Sequence, residues 1–362
     1  MSIQEEQKKQ VILINSIDGK GETVFPNPHP EAQWFKNADK GLFIHWGISS
    51  AHGGIELSWG MFSNLPWDKE GKHSLKPIDY FELAKKFKPT DYNPKKWLEA
   101  AKDAGFTYAV LTTKHHDGFA LWPSKYGNFN TATYWNGTDL VKGFVEACKE
   151  VGLKCGLYFS PPDWHYNKDR MSFRYGSDGS VDNPHYNKNF ETCNFESNDQ
   201  EWNESLRGLM ATNEELMEFK EYTRCQIEEL LTNYGKIDVI WFDGGPECFS
   251  IEWLRELQPH ILTNTRMHGY GDFSTPEGVI PDKPLDGLWE VCDIWGTGGW
   301  GYMEPGDYFS AQVVYERYVK THSMGGIYLI NVSPKPDGTL PPLYYQRMNE
   351  FANLILINQN KV

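Results

Sequence analysis

The 362-residue sequence predicts an α/β fold of the (β/α)8-like barrel type, TIM-like, somewhat irregular and enlarged by loop insertions. Two observations predict it. From Gly41 onward, short apolar runs ending in polar or glycine residues alternate with longer stretches of helical periodicity, as βα units around a parallel sheet require. The alternative is a doubly wound open sheet, but the chain has neither G-x-G-x-x-G after the first run nor G-x-x-x-x-G-K-[ST] anywhere. The phosphate-binding loops that usually accompany that sheet are therefore missing.

Residues 1–30 read as an N-terminal arm or edge hairpin, and 31–362 as a single barrel domain. Seven runs read as strands: Gly41–Gly47, Tyr108–Lys114, Lys154–Ser160, Asp238–Asp243, Ile261–Arg266, Leu288–Trp295 and Gly326–Ser333. Between them, Asp139–Val151 carries apolar residues at 140, 141, 144, 145, 148 and 151, the stripe of an amphipathic helix. Asp91–Ala104, Asn213–Tyr234, Ile251–His260 and Asp307–Ser323 fit the same role. The stretch 167–200, rich in Asn, Asp, Ser and Tyr, reads as a long loop on the face that carries the site. The last strand is followed by one amphipathic pattern, Tyr344–Leu356, which leaves no room for a second domain.

Composition narrows the function classes. With 40% hydrophobic and 23% charged residues the chain is globular rather than disordered. The balance of 35 basic against 49 acidic residues gives a net charge of −14 with no basic stripe, so nucleic acid is not an expected partner. No apolar run reaches the 18 or so residues of a membrane span, and the N-terminus lacks a signal core. The six cysteines show no C-x-x-C pair and read as free thiols, so a cytoplasmic location is expected, or a periplasmic or secreted one if a signal has been lost. The N-x-S/T triplets at Asn136, Asn203 and Asn331 occur at about chance frequency. The unusual quantity is the 14 Trp, 19 Tyr and 20 Phe, 15% of the chain, because sugar sites stack pyranose C–H faces on aromatic rings.

In a barrel of this type the site lies at the C-terminal ends of the strands, so the last residues of each run form a list of candidates. The list is rich in reactive groups: His45, then Lys114, His115, His116 and Asp117, then Tyr158, then Trp241 and Asp243, then Arg266. Period-two alternation puts Phe43 and His45 on one face, and Trp241 and Asp243 on one face, while adjacent His115 and His116 should diverge. Two chemistries fit. Paired carboxylates with hydroxyl-binding donors suggest glycoside hydrolysis, whereas several histidines with an aspartate suggest a metal-dependent hydrolase. The second lacks H-x-H on the first strand and H-E-x-x-H anywhere, and adjacent histidines do not readily chelate one ion.

The segments GLFIHWG (41–47), YAVLTTKHHDGFALWPSKY (108–126), DLVKGFVEACKEVGLKCGLYFSPPDW (139–164), IDVIWFDGG (237–245), DFSTPE (272–277) and LINVSPKPDGTLP (329–341) closely resemble family 29 glycoside hydrolases, the retaining α-L-fucosidases. They run through nearly the whole barrel. The resemblance implies exo-acting release of terminal α-L-fucose from fucosylated glycans by double displacement, with no cofactor and no metal. It implies Asp243 as nucleophile, with His45, Trp59, His115, His116, Tyr158, Trp241 and Arg266 binding the sugar, and Phe43 and Trp300 walling its methyl group. Glu277 in DFSTPE is the best match for the acid/base, with Glu56, Glu290 and Glu304 in reserve.

Two departures from the family pattern stand out. Ser58–Trp59 replaces a common Glu-Trp in the first βα loop, which implies rearranged contacts to the axial hydroxyl. Many members also carry a C-terminal β-sandwich, which 362 residues do not accommodate. The alternatives left open are α-L-galactosidase activity in the same site, a catalytically silent sugar-binding barrel, and the metal-dependent hydrolase.

Overall fold

A computed structural model describes residues 22–61, 75–166 and 212–359. The expected loop 167–200, Cys193, Asn203 and most of the arm lie outside the described residues. The strands are β1 (Thr23–Val24), β2 (Lys40–Ile44), β3 (Tyr108–Lys114), β4 (Lys154–Phe159), β5 (Val239–Phe242), β6 (Leu262–Thr263), β7 (Tyr270–Gly271), β8 (Glu290–Ile294) and β9 (Ile327–Val332). Seven of them form one parallel sheet in the order β6-β5-β4-β3-β2-β9-β8. Each of the seven predicted runs supplies one of these strands.

The two edges of the sheet are joined by a segment that the sequence pattern did not mark as a strand. Residues 272–278 bridge to both sides, Asn264 with Phe273 on one side, and Ser274 with Trp289 and Glu277 with Cys292 on the other, all parallel. The bonds include Thr265 N–H to the Phe273 carbonyl (3.1 Å), Glu290 N–H to Ser274 (2.9 Å) and Cys292 N–H to Pro276 (3.1 Å). Pro276 has no N–H, so this eighth position of the barrel makes only an interrupted ladder. Its period-two signal is correspondingly short. The described part of the arm also differs from an edge hairpin: β1 pairs in parallel with β7, at the start of this same closing segment.

The helices form where caps and apolar stripes coincide. Leu140–Val151 begins with the Asp139 carboxylate accepting from Lys142 N–H and stops at Gly152, whose φ of 76° suits glycine. It buries Leu140, Val141, Phe144, Val145 and Cys148, the predicted stripe without Val151. Asn213–Thr232 opens with a reciprocal Thr212–Glu215 capping box, and Ser250 and Ser310 cap Ile251–Leu257 and Ala311–Ser323. Pro342–Gln359 covers the last predicted pattern.

Alternation along the strands separates two cores. Leu42, Ile44, Ala109, Leu111, Leu157, Phe159, Ile240 and Phe242 face the helices, whereas Phe43, Tyr108, Val110, Tyr158, Val239, Trp241, Leu262, Phe273, Cys292 and Leu329 fill the barrel. The same parity carries the inward face past each strand end, from Phe43 to His45, Trp241 to Asp243, Leu262 to Arg266 and Phe273 to Glu277. At β3 a register shift between Thr112 and Lys114 breaks the parity. Lys114 thereby turns outward, 4.3 Å from the centre of the Phe159 ring, and pairs with buried Asp163 at 3.1 Å.

Deep in the barrel the Tyr108 ring lies directly over Gly41, and its hydroxyl donates to buried Glu290. A Cβ at Gly41 would overlap that ring. Gly41→Ala should therefore destabilise the fold by about 1–3 kcal/mol, as overpacking does, read as a lower urea midpoint at unchanged slope.

Candidate active site

The strand mouths enclose a cleft of about 310 Å³. Ten of the predicted residues line it: Phe43, His45, Trp59, His115, Tyr158, Trp241, Asp243, Arg266, Glu277 and Trp300. His116 stands directly behind, with Nε2 3.5 Å from Asp243 Oδ2. Leu57 and Cys292 also line the cleft, although the strand-end list and the resemblance named neither.

The electrostatic centre is Arg266, whose side chain is 2% exposed. One guanidinium nitrogen donates to Asp243 Oδ1 at 2.7 Å, and the other lies 2.7 Å from Glu277 Oε2. Its plane rests 4.7 Å from the centre of the Trp241 ring. The Tyr158 hydroxyl donates to Asp243 Oδ2 at 2.8 Å. Burial alone would push Asp243 up, but the Arg266 charge and the bonds from Arg266 and Tyr158 hold its carboxyl below the usual range. Glu277 goes the other way. Burial and then the Asp243 charge outweigh Arg266 and an indole hydrogen bond from Trp300, and its carboxyl is raised. Two carboxylates on one guanidinium are thus driven apart in acidity.

The histidines are set as neutral hydrogen-bond acceptors. Ser160 Oγ donates to the Pro162 carbonyl at 2.8 Å, so at 2.6 Å from His116 Nδ1 it accepts that ring's proton. Asn331 Nδ2 donates to the Trp300 carbonyl at 2.8 Å, which turns Oδ1 to His45 Nδ1 at 2.7 Å and places a proton on that nitrogen too. In both rings Nε2 is left as an acceptor, and burial pushes both pKa values down to about 4. Burial also drives His115 well below its ordinary value. Its Nδ1 meets Ser58 Oγ at 2.6 Å, so the serine of the first βα loop orients this ring.

The family model described as alpha-L-fucosidase matches residues 23–360. The chain belongs to the alpha-L-fucosidase family. The tissue alpha-L-fucosidase of Bos taurus is 28% identical over 358 residues, covering 91% of this chain and 68% of that protein. Its Homo sapiens counterpart is 26% identical over 360 residues, with 91% and 68% covered. Among solved structures, alpha-L-fucosidase isoenzyme 1 from Paenibacillus thiaminolyticus superposes with a TM-score of 0.71 at 29% identity, covering 91% of this chain and 76% of that one. Alpha-L-fucosidase AlfC from Lactobacillus casei, in complex with alpha-L-fucose product, gives 0.73 at 26% identity, with 92% and 100% covered.

The remaining expectations divide among the family's elements. His115 and His116 do not diverge: β3 has ended, and their rings lie 4.3 Å apart. Ligand-capable atoms of His115, His116 and Asp243 lie within 4.8 Å of one another, closer than the sequence suggested. Asp243 in this set also accepts from Arg266 and Tyr158. Phe43 packs 5.1 Å from Trp241 and 6.0 Å from Trp300.

The reserve acids line no part of the cleft. Glu290 lies in the barrel bonded to Tyr108 and Trp241, Glu304 is exposed and takes the Tyr302 hydroxyl, and Glu56 accepts from Trp300 N–H at 2.7 Å. Ser160, which ends the third strand run, and Asn331, within the last one, hold the histidines from behind, a role that the sequence reading gave to neither.

Tyr158→Phe removes a hydrogen bond to ionised Asp243, which favours the protonated form and raises its pKa. The acidic limb of kcat/KM for an aryl α-L-fucoside should move to higher pH. The plateau should fall about 10–100-fold, in line with the loss of a charge-assisted bond. A full pH profile of the variant checks both.

Proposed function

We propose that this enzyme releases terminal α-L-fucose from fucosylated glycans by a retaining double displacement, with Asp243 as nucleophile and Glu277 as acid/base. The observation that carries the reading is the single Arg266 guanidinium holding both carboxylates, one depressed and one raised in pKa. Two groups so bridged approach the separation of about 5 Å that retaining glycosidases use, rather than the wider gap that admits a water.

In the first step Asp243 bonds to the anomeric carbon as the bond to the leaving oxygen breaks, and Glu277 gives that oxygen its proton. In the second, water attacks the same carbon, its proton passes to Glu277, and the Asp243 carboxylate departs. Two inversions leave the configuration unchanged. Neutral His45 and His116 accept hydroxyl hydrogens through Nε2, and Tyr158 and Arg266 keep Asp243 ionised before attack. Phe43 and Trp300 face the C6 methyl, where the hydroxymethyl of an α-L-galactoside would bring a polar group against two rings.

With 4-nitrophenyl α-L-fucoside, Asp243→Ala should lower kcat on the order of 10⁴-fold, and azide should restore turnover as the inverted β-fucosyl azide. Glu277→Ala should keep glycosylation by this activated substrate, lose about 10²–10⁴-fold on a natural fucosyl linkage, and yield the α-azide. If NMR shows β-fucose as the first product of the wild type, the double displacement is wrong. The matching α-L-galactoside should react with a lower kcat/KM, and Phe43→Ala should narrow the difference.

A further inference from the structure

We propose that Glu56 is a positioning residue that clamps the loop carrying Trp300 and through it sets both the sugar wall and the placement of Glu277. This rests on the assignment of Glu277 as acid/base for its second half only.

Glu56 comes from the first βα loop and reaches across the barrel mouth to 299–301. Its Oε1 accepts from Trp300 N–H at 2.7 Å, and Gly301 N–H lies 3.5 Å from Oε2. The carboxylate is seated where a side chain at Gly299 would have to go, and Gly299 has a φ of 129°, a backbone open to glycine. The cradle is thus shaped for this group. The other side of the same peptide is fixed as well, because the Trp300 carbonyl accepts from Asn331 Nδ2 at 2.8 Å and Ser333 Oγ at 2.7 Å. Between these anchors the indole packs 5.0 Å from the His45 ring and donates to Glu277. One residue therefore bonds a carboxylate at each end, Glu56 through its backbone and Glu277 through its side chain. Among the described residues, no other bond holds the Trp300 N–H. Ser58, two residues on, is bonded to His115. The carboxylate of this loop thus serves the Trp300 loop, while a hydroxyl serves the histidine.

The charged and titratable groups about Glu277 are Arg266, Asp243, Tyr158 and Cys292, with Glu56 as the further anion; those about Glu56 are Glu277 and Tyr80. Burial lifts the Glu56 carboxyl to about 7, so above that pH its charge opposes ionisation of Glu277; Glu56→Gln removes that opposition, and the basic limb moves to lower pH.

The test compares wild type, Glu56→Gln, Glu56→Ala and Glu277→Ala by three measurements. These are the inhibition constant of free L-fucose, kcat/KM for 4-nitrophenyl α-L-fucoside and for a fucosyl disaccharide, and the pH profile. In Glu56→Ala the fucose inhibition constant should rise about tenfold, and the disaccharide should lose about tenfold more than the aryl fucoside. Glu56→Gln should restore both ratios to near wild type with its basic limb at lower pH. The proposal is overturned if Glu56→Ala lowers the melting temperature but leaves the inhibition constant and the substrate ratio unchanged, or if Glu56→Gln fails to restore them. Failure of the Glu277 assignment shows itself separately. In that case Glu277→Ala treats both substrates alike, while the fucose inhibition constant of Glu56→Ala still rises.

Discussion

The site depends on one buried cation. Arg266 has lost nearly all contact with water, and a guanidinium there is tolerated only when its donors meet anions or carbonyls. Asp243, Glu277 and the Thr275 carbonyl meet that demand at the two terminal nitrogens, at 2.7, 2.7 and 3.2 Å, while Nε finds no partner among the described residues. The consequence is functional as well as structural. Two carboxylates that would otherwise repel are held close, and their unequal surroundings move Asp243 down and Glu277 up in pKa. The cation lowers both, and the Tyr158 hydroxyl, bonded to Asp243 alone, helps to set them apart. The stacking of Arg266 on Trp241 ties the same group to the floor of the cleft, so charge placement and ring placement share one anchor.

That anchor is placed by strand parity. Asp243 follows Trp241 by two positions, and Glu277 follows Phe273 by four, so each functional side chain inherits its direction from a ring packed inside the barrel. The interior rings are fixed in turn by Glu290, which bonds Tyr108 and the Trp241 indole, and Gly41 leaves room for Tyr108 to reach it. Burial lifts Glu290 to a pKa of about 7, which is compatible with accepting two donors in a region without other charge save Arg266. A chain of contacts thus runs from the bottom of the barrel to Asp243. Where the parity breaks, at the β3 bulge, the chain turns Lys114 out to Asp163 and frees His115 and His116 to share one side.

Much of this was legible in the sequence, for definite reasons. Seven strands announced themselves as apolar runs of four to eight residues, and their mouths carried the polar residues, so reading the run ends found His45, Tyr158, Asp243 and Arg266 from pattern alone. The eighth barrel position was not legible, because DFSTPE is polar, short and interrupted by a proline. Its glutamate was reached only through resemblance. Adjacent His115 and His116 diverge only while a strand continues, and the residue pattern does not show that β3 ends at Lys114. Ser160, Asn331 and Glu56 act from behind or beside the cleft, and no periodicity marks a residue whose task is to fix a neighbour's proton or backbone.

The division of labour among charged and neutral groups follows from the same burial. A protonated histidine beside Arg266 would add a second buried cation, and burial therefore drives His45 and His116 neutral, with pKa values of about 4. Neutrality alone would leave the tautomer open. The Asn331 amide and the Ser160 hydroxyl close it, each locked by a carbonyl on its far side. Nε2 is then left as an acceptor in both rings, at the cleft wall in His45 and beside Asp243 in His116, while positive charge is confined to Arg266, beside the carboxylates. The uncharged rings and the one buried cation thus divide the cleft between them, with all of its positive charge spent on the two carboxylates.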